Sequence, residues 1–321
     1  MHPFRFAVMG AGGIANKFCD AVRLTEGAEV CAIASKSMER AKDFAARHGL
    51  PAAYDSYEEM LKAERPDCVY IAVTNDSHYP LAMLCLDYDT PVLCEKAMFR
   101  NSREAETFFR LADEKRVFSM EAMWSRYLPH VLRAREWMEE GRIGKPVWGE
   151  MSIGFKAKKD PENRLYSKKL GGGAALDITV YAYEVLCRIL DRPVERISVE
   201  AVSSDTGVDL TDVVLMRFAG GVPAVLRSTF LTHPDERLVI EGEEGRIVLP
   251  ASHVGPEALL YRGDRLVEHF IDNRTKNGFI YEIEDAMASI RAGKTESETC
   301  PHAMTLSFAA LAERIFAEME P

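Results

Sequence analysis

The sequence predicts an α/β chain in two parts, a doubly wound parallel sheet over residues 1–122 and an α+β domain over residues 123–321. Three observations predict it. A glycine-rich turn joins the first apolar run to the first helical stretch, and short apolar runs then alternate with amphipathic helices as far as Met120. From Val194 to Phe270 the pattern changes to successive short strands with turns at Gly220-Gly221, Gly245 and Gly263, an antiparallel meander.

Arg5 to Met9 is the first strand, and Ile14 to Leu24 repeats apolar residues at helical spacing through Ile14, Phe18, Ala21 and Val22. Between them Gly10 permits the tight turn, Gly12 lets the backbone approach a pyrophosphate, and Ala15 stands where a small residue lets helix and strand pack. With Gly13 and Ile14 the turn opens a helix whose free N–H groups and positive dipole end face the phosphates. A second strand from Glu29 to Ala34 completes a βαβ unit, so the first domain reads as a Rossmann dinucleotide-binding domain.

Ser37 to His48 is the next helix, stopped by Gly49, and Ser56 with Glu59 forms a capping box for a third. Cys68 to Val73 and Pro91 to Cys94 are apolar runs of buried-strand type, separated by a helix from Tyr79 to Asp87. Asn101 with Glu104 caps a helix reaching Lys115, and Val117 to Met120 is the last strand of the series. In the second part a helix runs from Pro129 to Glu140, a strand from Val147 to Phe155, and a helix from the triplet Gly171 to Gly173 as far as Leu190. After the meander come helices at Phe279 to Ala292 and Ala303 to Glu318. The sheet is expected to have one face under helices and the other free to meet a second subunit.

A net charge of −10 argues against nucleic-acid binding, which requires a basic surface. Seven cysteines, scattered and without a C-x-x-C pair, read as buried free thiols in a reducing compartment. No apolar run approaches the length of a membrane span and the N-terminus carries no secretion signal, so a cytoplasmic protein is expected, with no membrane partner. With no H-E-x-x-H or cysteine cluster, no metal site is expected.

The end of the second strand bears on the cofactor. NAD-selective sites usually place a carboxylate there for the ribose 2′-hydroxyl, whereas this strand ends Ala34-Ser35-Lys36 with Arg40 one helical turn on. A hydroxyl and two cations accept a 2′-phosphate, so NADP is expected over NAD. Alternatively, Lys36 and Arg40 are solvated surface cations. The other strand ends carry Thr74-Asn75-Asp76-Ser77-His78 and Glu95-Lys96-Ala97-Met98, which should line the cofactor cleft. Thr74, Asn75, His78, Glu95 and Lys96 are therefore cofactor-binding candidates, and Lys96 is the strongest of them, against the reading as a surface loop charge.

The combination GAGGIA, TNDSH, CEKAM and GGGAALDITVY resembles the Gfo/Idh/MocA oxidoreductases. The segments MEAMWSRYLP and RLYSKKLGGGAALDITVY are similar especially to the branch containing dimeric dihydrodiol dehydrogenase. The resemblance implies a Rossmann domain followed by an α+β domain with an open, mainly antiparallel sheet, and NAD(P)-dependent hydride transfer on a sugar, polyol or cyclic diol. It further implies a homodimer or higher homo-oligomer through the exposed sheet face. It puts the family lysine on Lys96, the helix acid on Asp177 and the acid/base residue on Tyr181.

The chemistry suits those types. Oxidising an alcohol releases its hydroxyl proton, and a side chain must take it. A free tyrosine titrates near 10, and a neighbouring ammonium such as Lys96 lowers that value. Asp177 and Tyr181, four apart on a regular helix, share one face. Trp124, Arg126 and Arg164 are expected substrate contacts, an indole for an apolar ring and guanidiniums for hydroxyls or a carboxylate. Ala97 departs from the family's usual proline, which removes a fixed φ and an easy cis peptide after Lys96. Lys168-Lys169 joins Lys156, Lys158, Lys159 and Arg164 in a basic loop, either a solvated lid or a feature suited to an anionic substrate. The rival reading is a non-catalytic NADP-sensing or sugar-sensing protein on the same fold. Ala97 favours it, while Lys96 and Tyr181 oppose it.

Overall fold

Strand β1 (Phe4–Met9) is buried along almost its whole length and lies inside its sheet, with a parallel neighbour on either side. The computed structural model describes residues 2–319. After β1 come α1 (Gly13–Val22), β2 (Ala28–Ala34), α2 (Met38–His48), β3 (Ala53–Tyr54), α3 (Tyr57–Glu64), β4 (Cys68–Ile71), α4 (His78–Asp87), β5 (Val92–Glu95), α5 (Ser102–Lys115) and β6 (Ser119–Ala122). All pairings are parallel, in the order β3-β2-β1-β4-β5-β6. The order reverses between β1 and β4, and that switch point opens a crevice at the carboxyl ends of the strands.

The caps read from the sequence at Ser56 and Asn101 are in place, and Ser37, expected as the first residue of its helix, is a third cap. Ser37, Ser56 and Asn101 each accept a backbone N–H three residues on, and Gly49 ends α2 in the left-handed conformation. Each cap contributes about 1 kcal/mol. β6 begins two residues later than expected, because Arg116 takes a left-handed φ of 56° and Val117 donates its N–H to Ala112, closing α5. β3 is a strand the sequence does not predict, because two residues carry no pattern. The seven cysteines are thiols outside any disulfide, six of them buried, and burial pushes the Cys31 thiol up to about 11.

Helix α6 (Pro129–Glu139), strand β7 (Pro146–Gly154), a π-helical turn Ala175–Thr179 and helix α7 (Val180–Leu190) open the second part. Then follow β8 (Val194–Ser203), β9 (Asp209–Phe218), β10 (Val222–Thr229), β11 (Arg237–Gly242), β12 (Arg246–Pro250), β13 (Glu257–Arg262) and β14 (Arg265–Ile271). They form one eight-stranded sheet, β14-β13-β12-β11-β7-β10-β9-β8, antiparallel except for the β7–β10 pair. The mainly antiparallel sheet is as expected, and the one parallel pair arises where β7 inserts between a four-stranded and a three-stranded antiparallel meander. Helix α7 packs on β7 and β10, and α6 on β12 to β14.

By internal packing the chain divides into one unit up to Trp124 together with Lys276–Ala309, and a second from Ser125–Thr275 continuing at Ala310. The sequence alone places everything after residue 122 in the second domain. Helices α8 (Phe279–Arg291) and the start of α9 (His302–Glu318) instead join the first unit through long-range contacts that no local pattern announces. Asn277 donates to the Lys17 carbonyl, the Phe279 ring meets Trp124 edge-on at 5.4 Å, and Thr305 donates to Glu121.

Candidate active site

The glycine turn is shaped by close approach. Gly10 has φ +108°, and a Cβ there would lie 2.4 Å from the Ala72 carbonyl at the end of β4. At Gly12 a Cβ would meet only that oxygen, at 3.8 Å, and at Gly13 nothing within 4 Å. Gly12 precedes α1 without a side-chain cap and the first turn of α1 has no acid, so no side chain of the cap residue covers its first N–H groups and no carboxylate there repels an anion. These are the conditions a pyrophosphate requires, and the residues fit a dinucleotide. Ala15 is fully buried, as its packing role requires.

Ser35 is buried and Lys36 and Arg40 are exposed, but Arg40 is not free in solvent: its guanidinium donates to the Ala11 carbonyl at 3.4 Å. Thus α2 places a cation on the glycine turn. At the end of β4, Thr74 donates to Asp76, and Asn75 donates to the Ala97 carbonyl at 3.1 Å. His78 is buried with Nδ1 3.0 Å from the Ala97 carbonyl and Nε2 3.2 Å from that of Val73. Burial lowers its pKa, so the ring is neutral and donates to one of the two. The Lys96–Ala97 peptide is cis, which corrects the expectation that alanine removes that geometry. The segment is held by Asn75 and His78 on the Ala97 carbonyl and by the Met98 N–H on Glu121. Glu95 is buried and accepts from the Tyr70 hydroxyl, and burial raises its carboxyl to about 6.

In the second unit Asp177 sits in the π turn with Arg164 donating to it at 3.1 Å. The turn is wider than an α-helical one, so the four-residue spacing to Tyr181 no longer dictates a shared face. Tyr181 is buried at 8% exposure, its ring 5.1 Å from that of His253, whose Nδ1 lies 2.6 Å from Glu236. Arg126 is drawn inward, donating to the fully buried Glu184 at 2.7 Å. The glycine triplet serves its own chain: a Cβ at Gly172 would lie 2.5 Å from the Arg164 carbonyl, and one at Gly173 2.1 Å from Asp209. The basic loop is exposed and in part neutralised, Lys159 by Asp205 and Arg164 by Asp177.

Residues 4–122 match the family described as an oxidoreductase family with an NAD-binding Rossmann fold, and residues 131–248 match the GFO/IDH/MocA C-terminal domain. A trans-1,2-dihydrobenzene-1,2-diol dehydrogenase from Danio rerio is 32% identical over 93% of this chain and 92% of its own. The chain belongs to the Gfo/Idh/MocA oxidoreductases.

A second such dehydrogenase, from Mus musculus, is 31% identical over 92% of this chain and 91% of its own. Among solved structures, an aldose-aldose oxidoreductase from Caulobacter crescentus superposes with a TM-score of 0.90 at 19% identity, covering 99% of this chain and 98% of that one. A levoglucosan dehydrogenase complexed with NADH gives 0.87 at 19%, covering 99% and 97%. As a Gfo/Idh/MocA protein the chain is an NAD(P)-dependent oxidoreductase, and the sensor reading is set aside. Among the described residues no helix is long and apolar enough to cross a membrane.

Sequence reasoning missed His253, Glu236 and Glu184. His253 and Glu236 lie on loops with no recognisable motif, and Glu184 is one acid among apolar helix residues. In a buried helix face that acid was the available signal, since an unpaired carboxylate there is rare.

Proposed function

We propose that the protein is an NADP-dependent dehydrogenase or reductase acting on a cyclic diol or sugar-like substrate. The observation that carries the cofactor choice is Arg40 lying on the glycine turn while β2 ends in Ala34-Ser35-Lys36, with no carboxylate to repel a 2′-phosphate. The substrate class rests on the diol dehydrogenases that align over nearly the whole chain.

When bound, the nicotinamide accepts or returns the hydride. Tyr181 is assigned the hydroxyl proton of the substrate, taking it during oxidation and giving it back during reduction. Its burial, at the ring of His253, limits the access of competing water. Asp177 orients the substrate hydroxyl by accepting a hydrogen bond, with Arg164 balancing its charge. Lys96, at the carboxyl end of β5, is assigned the cofactor ribose, and Trp124 an apolar face of the substrate. Arg126 acts through Glu184 as a structural support. The exposed apolar residues Val202 and Leu215, on β8 and β9, suit a homodimer through the sheet, which light scattering tests.

The test follows nicotinamide absorbance with trans-dihydrobenzenediol, levoglucosan and aldoses in the presence of NADP or NAD. Tyr181→Phe should lower turnover by about 10² to 10⁴. Unchanged turnover removes Tyr181 from the reaction.

A further inference from the structure

Asp209 and Asp212 are both fully buried on β9. Strict alternation would send residues three apart to opposite faces of the sheet. Here the pairing slips: Val202 faces Thr211 while Ser203 faces Asp209, so Leu210 is an extra residue in β9. This bulge turns both carboxyls to the same side.

Together they grip the π turn at its two ends. Asp209 Oδ2 accepts the N–H of Ala175, the first residue of the turn, at 2.5 Å. Asp212 Oδ2 accepts the hydroxyl of Thr179, the last residue, at 2.5 Å. Thr179 and Ser228 hydroxyls are 2.5 Å apart, which ties the same end to β10. Asp177 is the middle residue, and the turn leads directly into the helix of Tyr181. Gly173 has no Cβ because Asp209 stands where it would be. The remaining oxygen of each acid, Oδ1, receives no hydrogen-bond donor from any other described residue.

We propose that Asp209 and Asp212 are positioning residues for the active site, sharing one proton between their Oδ1 atoms and so locking the π turn that presents Asp177 and begins the helix of Tyr181. The proposal rests on the roles given above to Asp177 and Tyr181. Two neighbouring buried carboxylates do not both ionise, and one proton converts two orphan acceptors into a donor and an acceptor. The negative charge belongs on Asp209, which receives helix-start N–H groups, and the proton on Asp212. Burial lifts both acids, and the charge of Asp209 lifts Asp212 further.

Three variants test this, assayed as full-length protein with NADP and trans-dihydrobenzenediol. Asp212→Asn keeps an acceptor for Thr179 and supplies an N–H for Asp209, so kcat should stay within about twofold of wild type. Asp212→Leu removes both, and kcat should fall about tenfold or more through misplacement while NADPH affinity is unchanged. Asp209→Leu should behave like Asp212→Leu. Infrared spectra of the cofactor-free protein at neutral pH give a readout independent of activity: wild type should show one more protonated-carboxyl C=O band than Asp212→Asn. Identical carboxyl bands, or full activity in Asp212→Leu, would overturn the proposal. Failure of Asp212→Leu to fold leaves the Asn rescue and the infrared difference to decide. Tyr181→Phe is measured in parallel: if it alone is fully active, the reading of the reaction fails, whereas an inactive Tyr181→Phe beside an active Asp212→Leu defeats only the positioning role.

Discussion

Gly10 and Gly12 lie two residues apart in one turn, yet alanine should harm the protein in different ways at each. At Gly10 the new Cβ meets the Ala72 carbonyl oxygen at 2.4 Å and Val73 Cγ1 at 2.9 Å, with φ at +108°. A left-handed backbone costs about 1–3 kcal/mol and overpacking a further ~1–3 kcal/mol, so Gly10→Ala should lose roughly 2–6 kcal/mol. In a unit of this size that corresponds to a Tm lower by about 5–20 °C. At Gly12 φ is −95° and the single neighbour lies 3.8 Å away, so the cofactor-free protein should unfold within about 2 °C of wild type. The Gly12→Ala methyl instead occupies the approach of the pyrophosphate. Losing one hydrogen bond to a charged group, about 1.5–3 kcal/mol, weakens NADPH about 10- to 100-fold. Thermal unfolding without cofactor and fluorescence titration with NADPH measure the two effects separately. If Gly12→Ala binds NADPH at wild-type affinity, or is destabilised as much as Gly10→Ala, the roles given to these glycines are wrong.

Arg40→Ala should weaken NADPH about 10- to 100-fold and leave NADH unchanged if, as proposed, the guanidinium serves the 2′-phosphate. Equal losses for both cofactors would remove Arg40 from 2′-phosphate recognition. Burial raises the Glu95 carboxyl from 4.5 to about 6, so over that interval the folded protein keeps a proton the unfolded chain has released. The resulting stabilisation, about 2 kcal/mol, is full below the unfolded value and is lost as pH rises through the folded one. Glu95→Gln should flatten that part of the curve in denaturant titrations, and an unchanged slope assigns it to another group. Glu184→Ala removes the carboxylate that faces the buried Arg126 guanidinium and should cost about 3–5 kcal/mol in urea unfolding. A loss below about 1 kcal/mol would show that Arg126 does not depend on its partner.

The local grammar of the chain was legible because it is local. Ser37, Ser56 and Asn101 cap helices through N–H groups three residues away, and the alternation of apolar runs with amphipathic helices leaves little choice but a parallel doubly wound sheet. The glycine turn and the ending of β2 likewise sit within forty residues, and Lys96 follows its strand directly. What the sequence concealed depends on partners far along the chain. Nothing in residues 276–309 shows that they pack with the Rossmann strands, since Thr305 meets Glu121 only after folding. Arg126 reads as a cation available to substrate until Glu184 is found against it.

The helix of Tyr181 and the turn before it show the division most clearly. Glycines at 171–173 and the positions of Asp177 and Tyr181 are written in the sequence, but a 3.6-residue repeat cannot reveal a π turn. That turn is held from outside, by Asp209 and Asp212, whose sequence spacing predicts opposite faces of a strand. The bulge at Leu210 reverses that prediction. A bulge is a property of the register between two strands, and register is settled by tertiary packing rather than by either strand alone.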